Sequence, residues 1–333
     1  MKKRRTTIFT ALLITAILIS GCAGESKTGS NPGKTNMKEN GRLNVVTTLF
    51  PYYDFIRQIA GDKINLTMIV PAGMDTHSFE PTTEDMINIQ NSDIFIYNGG
   101  SLEHWVTKVL DSTNNKNQTI MRMMDYTDIL EEEHKEGMED EHDNEHKNNF
   151  DKKDFDEEEY DEHIWTSPVI ACTLVTEICS TLKEADSENA DFYQNNCDKY
   201  IEQLKSLDKE LHNITDNARV KTLIFADKFP LRYFTEEYGL DYFAAFSGCS
   251  TDTEPSVDTL KFLIDKVKSE KISYVYYLEL SSQKIADTIC SSTNAKKKLF
   301  YSCHNVSQKQ FNDGITYIDM MEKNAETLKE GLK

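Results

Sequence analysis

The chain has 333 residues, 38% of them hydrophobic and 28% charged, and carries a formal net charge of −19. That length exceeds one ordinary core and fits two compact lobes. The acidity argues against a nucleic-acid partner, because phosphates would repel the chain and no basic, aromatic-interleaved stretch offsets that.

Lys2, Lys3, Arg4 and Arg5 precede an apolar run from Ile8 to Ile19. The run is short for a membrane span and reads as a signal sequence over residues 1–21. Ile19-Ser20-Gly21-Cys22 resembles the lipobox of bacterial lipoproteins. The resemblance implies cleavage before Cys22, lipidation of its thiol and a receptor held at the outside of the cell membrane by its acyl chains. Residues 22–41, rich in Ser, Gly, Asn and Lys, read as a flexible tether.

From Leu43 the pattern alternates between β-rich runs and helical spacing. Leu43–Thr48, Ile64–Val70 and Ile94–Tyr97 read as strands. Pro51 opens a helix to about Ala60, and Thr82 or Thr83 caps one whose Met86, Ile87 and Ile89 point inward. Ile170, Leu174, Ile178 and Leu182 keep helical spacing after Pro168, with Cys172 and Cys179 on one face. A long helix over 187–218 presents Phe192, Tyr200, Leu204, Leu207 and Leu211, and serves as a strut. The alternation then restarts: strands at Thr222–Phe225, Tyr242–Phe246, Tyr274–Leu278 and Leu299–Tyr301, with helices at Leu231–Tyr238, Ser256–Lys268, Ser282–Ser291 and Tyr317–Leu332. The expected fold is α/β: an N-terminal lobe over 42–186, the linking helix, and a C-terminal lobe over 219–333, each a mainly parallel sheet flanked by helices.

Glu131 through Glu162 hold seventeen acidic and four basic residues, so most of the net charge is one local feature. The composition predicts a solvated, disordered loop. His134, His142 and His146 inside it suit weak, flexible capture of a metal ion. His142-Asp143-Asn144-Glu145-His146 also matches a metalloprotease-type pattern, but its flanks offer no apolar helix face, so no enzymatic role is expected.

Four residues sit just after predicted strands or at an element start, where open α/β sheets collect ligands: His77, His163, Asp227 and His304. Two fall in each lobe. A mixed nitrogen and oxygen set suits Zn²⁺, and Mn²⁺ less well. Glu279, ending the Tyr274 strand, is the reserve ligand.

Gly73-Met74-Asp75-Thr76-His77-Ser78-Phe79-Glu80-Pro81-Thr82 and Asp161-Glu162-His163-Ile164-Trp165-Thr166-Ser167-Pro168 resemble two segments of the metal-binding solute receptors of ABC importers, with an acidic histidine-containing insertion between them as in the zinc-type members. The resemblance covers roughly residues 43–333. It implies two α/β lobes joined by a long helix, with Zn²⁺ held between them and handed to a membrane permease and its ATPase by a monomeric receptor. His77 and His163 become the N-terminal-lobe ligands. Thr76 and Glu162 stand where the family usually has Pro. Asp227 is the nearest carboxylate to a position where the family commonly has His or Glu, and reads equally as a helix-capping residue. His304 falls where a late Asp ligand is usual. A Cys249–Cys303 disulfide near the site fits an oxidising location. The alternatives are a manganese or iron receptor of the same family, or a surface adhesin on this scaffold.

Overall fold

A computed structural model describes residues 41–76, 78–112, 115–139, 160–248, 250 and 254–333. Cys22, His77, His142, His146 and Cys249 therefore lie outside the described residues.

The first sheet is built from β1 (Asn44–Thr47), β2 (Asn65–Met68), β3 (Ile94–Tyr97) and β4 (Thr119–Arg122), in the order β2-β1-β3-β4 with every pairing parallel. β1 and β3 bury nearly every side chain, as a central strand covered on both faces must. The second sheet repeats the scheme with β5 (Thr222–Phe225), β6 (Asp241–Ala244), β7 (Tyr274–Leu278) and β8 (Lys296–Phe300) in the order β6-β5-β7-β8, again all parallel. The reversal of strand order beside β1 and beside β5 opens a crevice at the strands' carboxyl ends in each lobe.

The helices flank these sheets. α1 (Phe50–Ala60) starts with Pro51 in its first turn. α2 (Thr83–Asn91) has a capping box between Thr82 and Asp85. α3 (His104–Ser112) leads to β4. α4 (Pro168–Ala185) is capped by Ser167, whose hydroxyl accepts from Ile170 N–H. α5 (Ala190–Asp216) spans 27 residues, roughly 40 Å at 1.5 Å per residue. The second lobe adds α6 (Arg232–Tyr238), α7 (Val257–Ser269), α8 (Lys284–Ser292), α9 (Gln308–Asn312) and α10 (Tyr317–Gly331). Gly239 ends α6 with φ +57°, the left-handed conformation that glycine adopts without strain. Among the described residues no helix is long and apolar enough to cross a membrane.

α5 packs on α1 and α4 of the first lobe and on α6 and α10 of the second. One apolar core runs through both lobes and includes Trp165, Tyr200 and Tyr317. Polar bonds fasten the same seam. Tyr317 OH donates to Trp165 O at 2.8 Å, Trp165 Nε1–H to Ser302 O at 2.9 Å, and Tyr317 N–H to the buried Asp54 carboxylate at 2.8 Å. The lobes therefore share a core, not merely a linker.

Several expectations need correction. Ile89 is buried, but Met86 and Ile87 are exposed, since α2 lies on the sheet through a narrow stripe. Phe192 is likewise exposed and lies on Gly61, at the first turn of α5. α3, α9 and β4 carry weak signals: β4 is an edge strand that buries only Met121. The acidic run is ordered at its two described ends. Glu131 bridges to Tyr160, and Asp161 N–H donates to Leu130 O at 2.9 Å, which closes the neck of the excursion. Residues 132–139 then lie on the C-terminal lobe. Lys135 pairs with Asp241 at 2.7 Å, Glu139 N–H donates to Ala245 O at 3.1 Å, and Met138 is buried. Specific partners override composition there. Cys303 is a fully buried free thiol whose pKa burial pushes well up; Cys249, the partner expected for it, lies outside the described residues.

Candidate metal centre

A cleft of about 330 Å³ lies where loops of the two lobes meet. Asp75 and Thr76 reach it after β2, Asp227 after β5, Glu279 after β7, and His304 after β8; His163 enters just before α4. Each thus follows a strand's carboxyl end or precedes a helix, as the alternation requires. The structure brings together His163, Asp227, Glu279 and His304, four of the five residues singled out from sequence as direct ligands. The fifth, His77, lies outside the described residues beside Thr76. His134 is exposed and does not line the cleft.

His163 is fully buried against Trp165, with ring centroids 5.4 Å apart. A single-turn 3₁₀ helix, Ile164–Thr166, follows it, and Thr166 Oγ1–H donates back to His163 O at 2.8 Å. Asp161 Oδ1 accepts both His163 N–H, at 2.8 Å, and Nδ1–H, at 3.1 Å. That bond assigns the proton to Nδ1 and leaves Nε2 as the lone-pair atom. Nε2 is buried and has no hydrogen-bond partner among the described residues. Such an atom normally costs about 1–3 kcal/mol unless a partner arrives. Burial disfavours the charged ring, but the carboxylates of Asp161, Glu162 and Glu132 outweigh it, and the net pKa is raised. Gly248 gives the ring its space: a Cβ there would stand 3.1 Å from His163 Cε1 and 3.0 Å from Phe229 O.

Across the cleft, His304 lies 5.8 Å from His163 and 5.2 Å from Trp165, centroid to centroid. Its Nε2 is 2.7 Å from Thr76 Oγ1. Glu279 accepts Ser302 Oγ–H at 2.7 Å and Ser302 N–H at 2.8 Å. Desolvation nevertheless pushes its carboxyl up to about 7. Asp227 is no helix cap, since α6 begins only at Arg232 after Leu231. Its two oxygens accept Lys228 N–H at 2.9 Å and Leu278 N–H at 3.0 Å, bracing the β5 loop to the end of β7.

Sequence reasoning missed the residues that hold these ligands. Thr76 looked like a departure from the proline pattern but contacts His304. Glu162, at the other such departure, accepts the N–H groups of Ser101 and Leu102, the latter at 2.8 Å, and so caps the turn entering α3. Tyr233 OH donates to Asp161 O at 2.8 Å and accepts Leu130 N–H at 3.0 Å, so α6 also fixes the segment bearing His163. A short polar side chain beside a candidate ligand was the one signal available for Thr76.

The donor set is chemically consistent: two imidazoles and two carboxylates line one cleft, a mixed set that suits a borderline divalent ion better than a hard one. Residues 45–331 match the family model described as zinc-uptake complex component A, periplasmic. The high-affinity zinc uptake system protein ZnuA of Bacillus subtilis is 32% identical over 316 residues, covering 95% of this chain and 94% of its own. The zinc-binding lipoprotein AdcA of Streptococcus pneumoniae is 33% identical over 298 residues, which is 89% of this chain but 57% of that protein. Among solved structures, the Zn(II)-bound ZnuA-like domain of that AdcA superposes with a TM-score of 0.70 at 31% identity, covering 88% of this chain and 99% of the domain. The laminin-binding protein Lmb of Streptococcus agalactiae, described as having adhesin and metal-transporting activity, gives 0.71 at 25% identity, covering 87% of this chain and all of its own.

Proposed function

The chain belongs to the zinc-uptake complex component A family, and we propose from that membership and the interlobe cleft that it captures Zn²⁺ outside the cytoplasmic membrane and delivers it to an ABC permease. The family is one of binding components, not of enzymes. One observation carries the metal assignment: the buried Nε2 of His163 is held ready by Asp161 and aimed into a cleft shared with His304.

In this reading His77, His163 and His304 supply imidazole nitrogens and Glu279 the oxygen. A carboxyl poised near 7 gains most from an adjacent cation, which favours its charged form. Asp227 braces the floor of the site. Lipidation at Cys22 would keep the monomeric receptor at the membrane, and His134, His142 and His146 would gather metal for the cleft. The lobe boundaries at 186 and 219 follow the ends of α4 and α5.

Calorimetry with Zn²⁺ on the purified chain tests this, with Mn²⁺ as competitor. One tight equivalent is expected, strongly weakened in His163→Ala and in Glu279→Gln and much less in Asp227→Asn. Unchanged affinity in a His77→Ala, His163→Ala double variant would overturn the ligand assignment. Displacement of bound Zn²⁺ by stoichiometric Mn²⁺ would overturn the choice of metal.

A further inference from the structure

A second group of donors lies away from the cleft. Asp208 and His212 are one turn apart on α5, and Glu237 is in the last turn of α6. None of the three lines the interlobe cleft. His212 Nε2 is 3.6 Å from Asp208 Oδ1 and 3.6 Å from Glu237 Oε1. Both separations exceed the ordinary N–H···O range of about 2.7–3.2 Å. An ion with tetrahedral bonds of about 2.1 Å sets its ligand atoms roughly 3.4 Å apart, close to what is seen. Among the described residues this is the one group of three or more His, Cys, Asp or Glu whose donor atoms converge in this way.

The surroundings hold the group in place. Tyr238 OH donates to Asp208 Oδ1 at 3.0 Å, and the Tyr238 ring meets the His212 ring edge-on at 5.0 Å. The three side chains are partly buried, from 26% to 42% exposed, so a metal could reach them without opening the fold. α6 ends one residue after Glu237 and α5 about one turn after His212, and their carbonyl ends add negative potential.

We propose that Asp208, His212 and Glu237 form a second divalent-cation site on α5 and α6, separate from the interlobe centre. One imidazole nitrogen and two carboxylate oxygens suit Zn²⁺ among borderline ions, with water completing the shell. Occupancy clamps α6 to the connecting helix, and α6 carries the Tyr233 hydroxyl that holds Asp161.

The test uses the full chain with His134→Gln, His142→Gln and His146→Gln, which removes the acidic run's histidines. Equilibrium dialysis against micromolar Zn²⁺, followed by metal analysis, should find about two equivalents per chain when both sites are saturated. Adding His212→Gln, or separately Glu237→Gln, should remove about one equivalent while the tight calorimetric event and the zinc-free melting curve stay as they were. Glu237→Gln keeps side-chain shape and guards against a folding defect in the His212 variant. Counts unchanged in both variants would show an ion pair only and overturn the site. Loss of the tight event with the His212-dependent equivalent still present would fault the interlobe reading alone.

Discussion

Thr76 Oγ1 stands 2.7 Å from His304 Nε2, a contact between the loop after β2 in one lobe and the loop after β8 in the other. Both residues are departures from the receptor pattern that the sequence resembles, Thr for the usual Pro and His for the usual late Asp. A proline could not hold an imidazole, whereas a hydroxyl bonds its ring nitrogen and fixes the ring plane. Thr76→Val keeps the shape and removes the bond, so zinc affinity should fall by about 10–100-fold, the usual cost of losing an orienting partner. Calorimetry of the variant checks this, and the His304→Asp, Thr76→Pro double variant should recover part of the loss.

Asp161 does the same for His163 through a 3.1 Å bond to Nδ1. Asp161→Asn keeps the backbone bond to His163 N–H but presents a weaker, neutral acceptor that leaves the tautomer less firmly fixed. A drop of about 10-fold or more in zinc affinity is expected, with the melting temperature of the zinc-free protein little changed. Equal affinities in the two proteins would show that the tautomer is set by some other group.

The pH dependence of binding has a definite sign. His163 has a raised folded pKa, so in the metal-free protein its contribution to stability is present below the unfolded value and is lost as pH rises through the folded one. Zinc needs the neutral ring, so protons compete with metal, and that competition begins above the ordinary imidazole range. The thermal shift produced by Zn²⁺ should therefore be large near pH 8 and shrink steadily toward pH 5.5. Melting curves with and without metal across that range measure it. A shift that does not vary with pH would exclude imidazole coordination.

The sequence showed most of this scaffold because parallel strands buried on both faces read as unbroken apolar runs, as in Ile94-Phe95-Ile96-Tyr97 and Tyr274-Val275-Tyr276-Tyr277-Leu278. Edge strands were harder. β8 starts with Lys296-Lys297-Lys298, charges suited to a sheet edge that hid half of the strand from an apolar reading. Of the site, His163, His304, Asp227 and Glu279 were legible because chemistry collects at strand ends. The bracing role of Asp227 was not, because its partner, Leu278 N–H, is 51 residues away in sequence. The described ends of the acidic run misled for the same reason. Its composition is that of a free loop, yet Glu131, Lys135 and Glu139 find partners that only the fold brings near.

Glu103 supplies a further test, of stability alone. It is buried under β3 at the turn entering α3, where Oε2 accepts Gly99 N–H at 2.9 Å. Desolvation pushes its carboxyl up to about 7, against the pull of the bond from Gly99 N–H and with help from the Glu162 charge. An acid with a raised folded pKa holds its proton longer when folded than when unfolded. Its contribution is thus present at low pH and is lost as pH rises through about 7. The loss amounts to about 3 kcal/mol between pH 5 and pH 8. Glu103→Gln keeps an acceptor for Gly99 N–H and cannot ionise, so it should flatten that slope and raise the melting temperature at pH 8 relative to the parent. Denaturant unfolding at pH 5, 6.5 and 8 on both zinc-free proteins reads it directly. Parallel pH curves for the two would mean that the Glu103 carboxyl is already ionised in the fold at neutral pH.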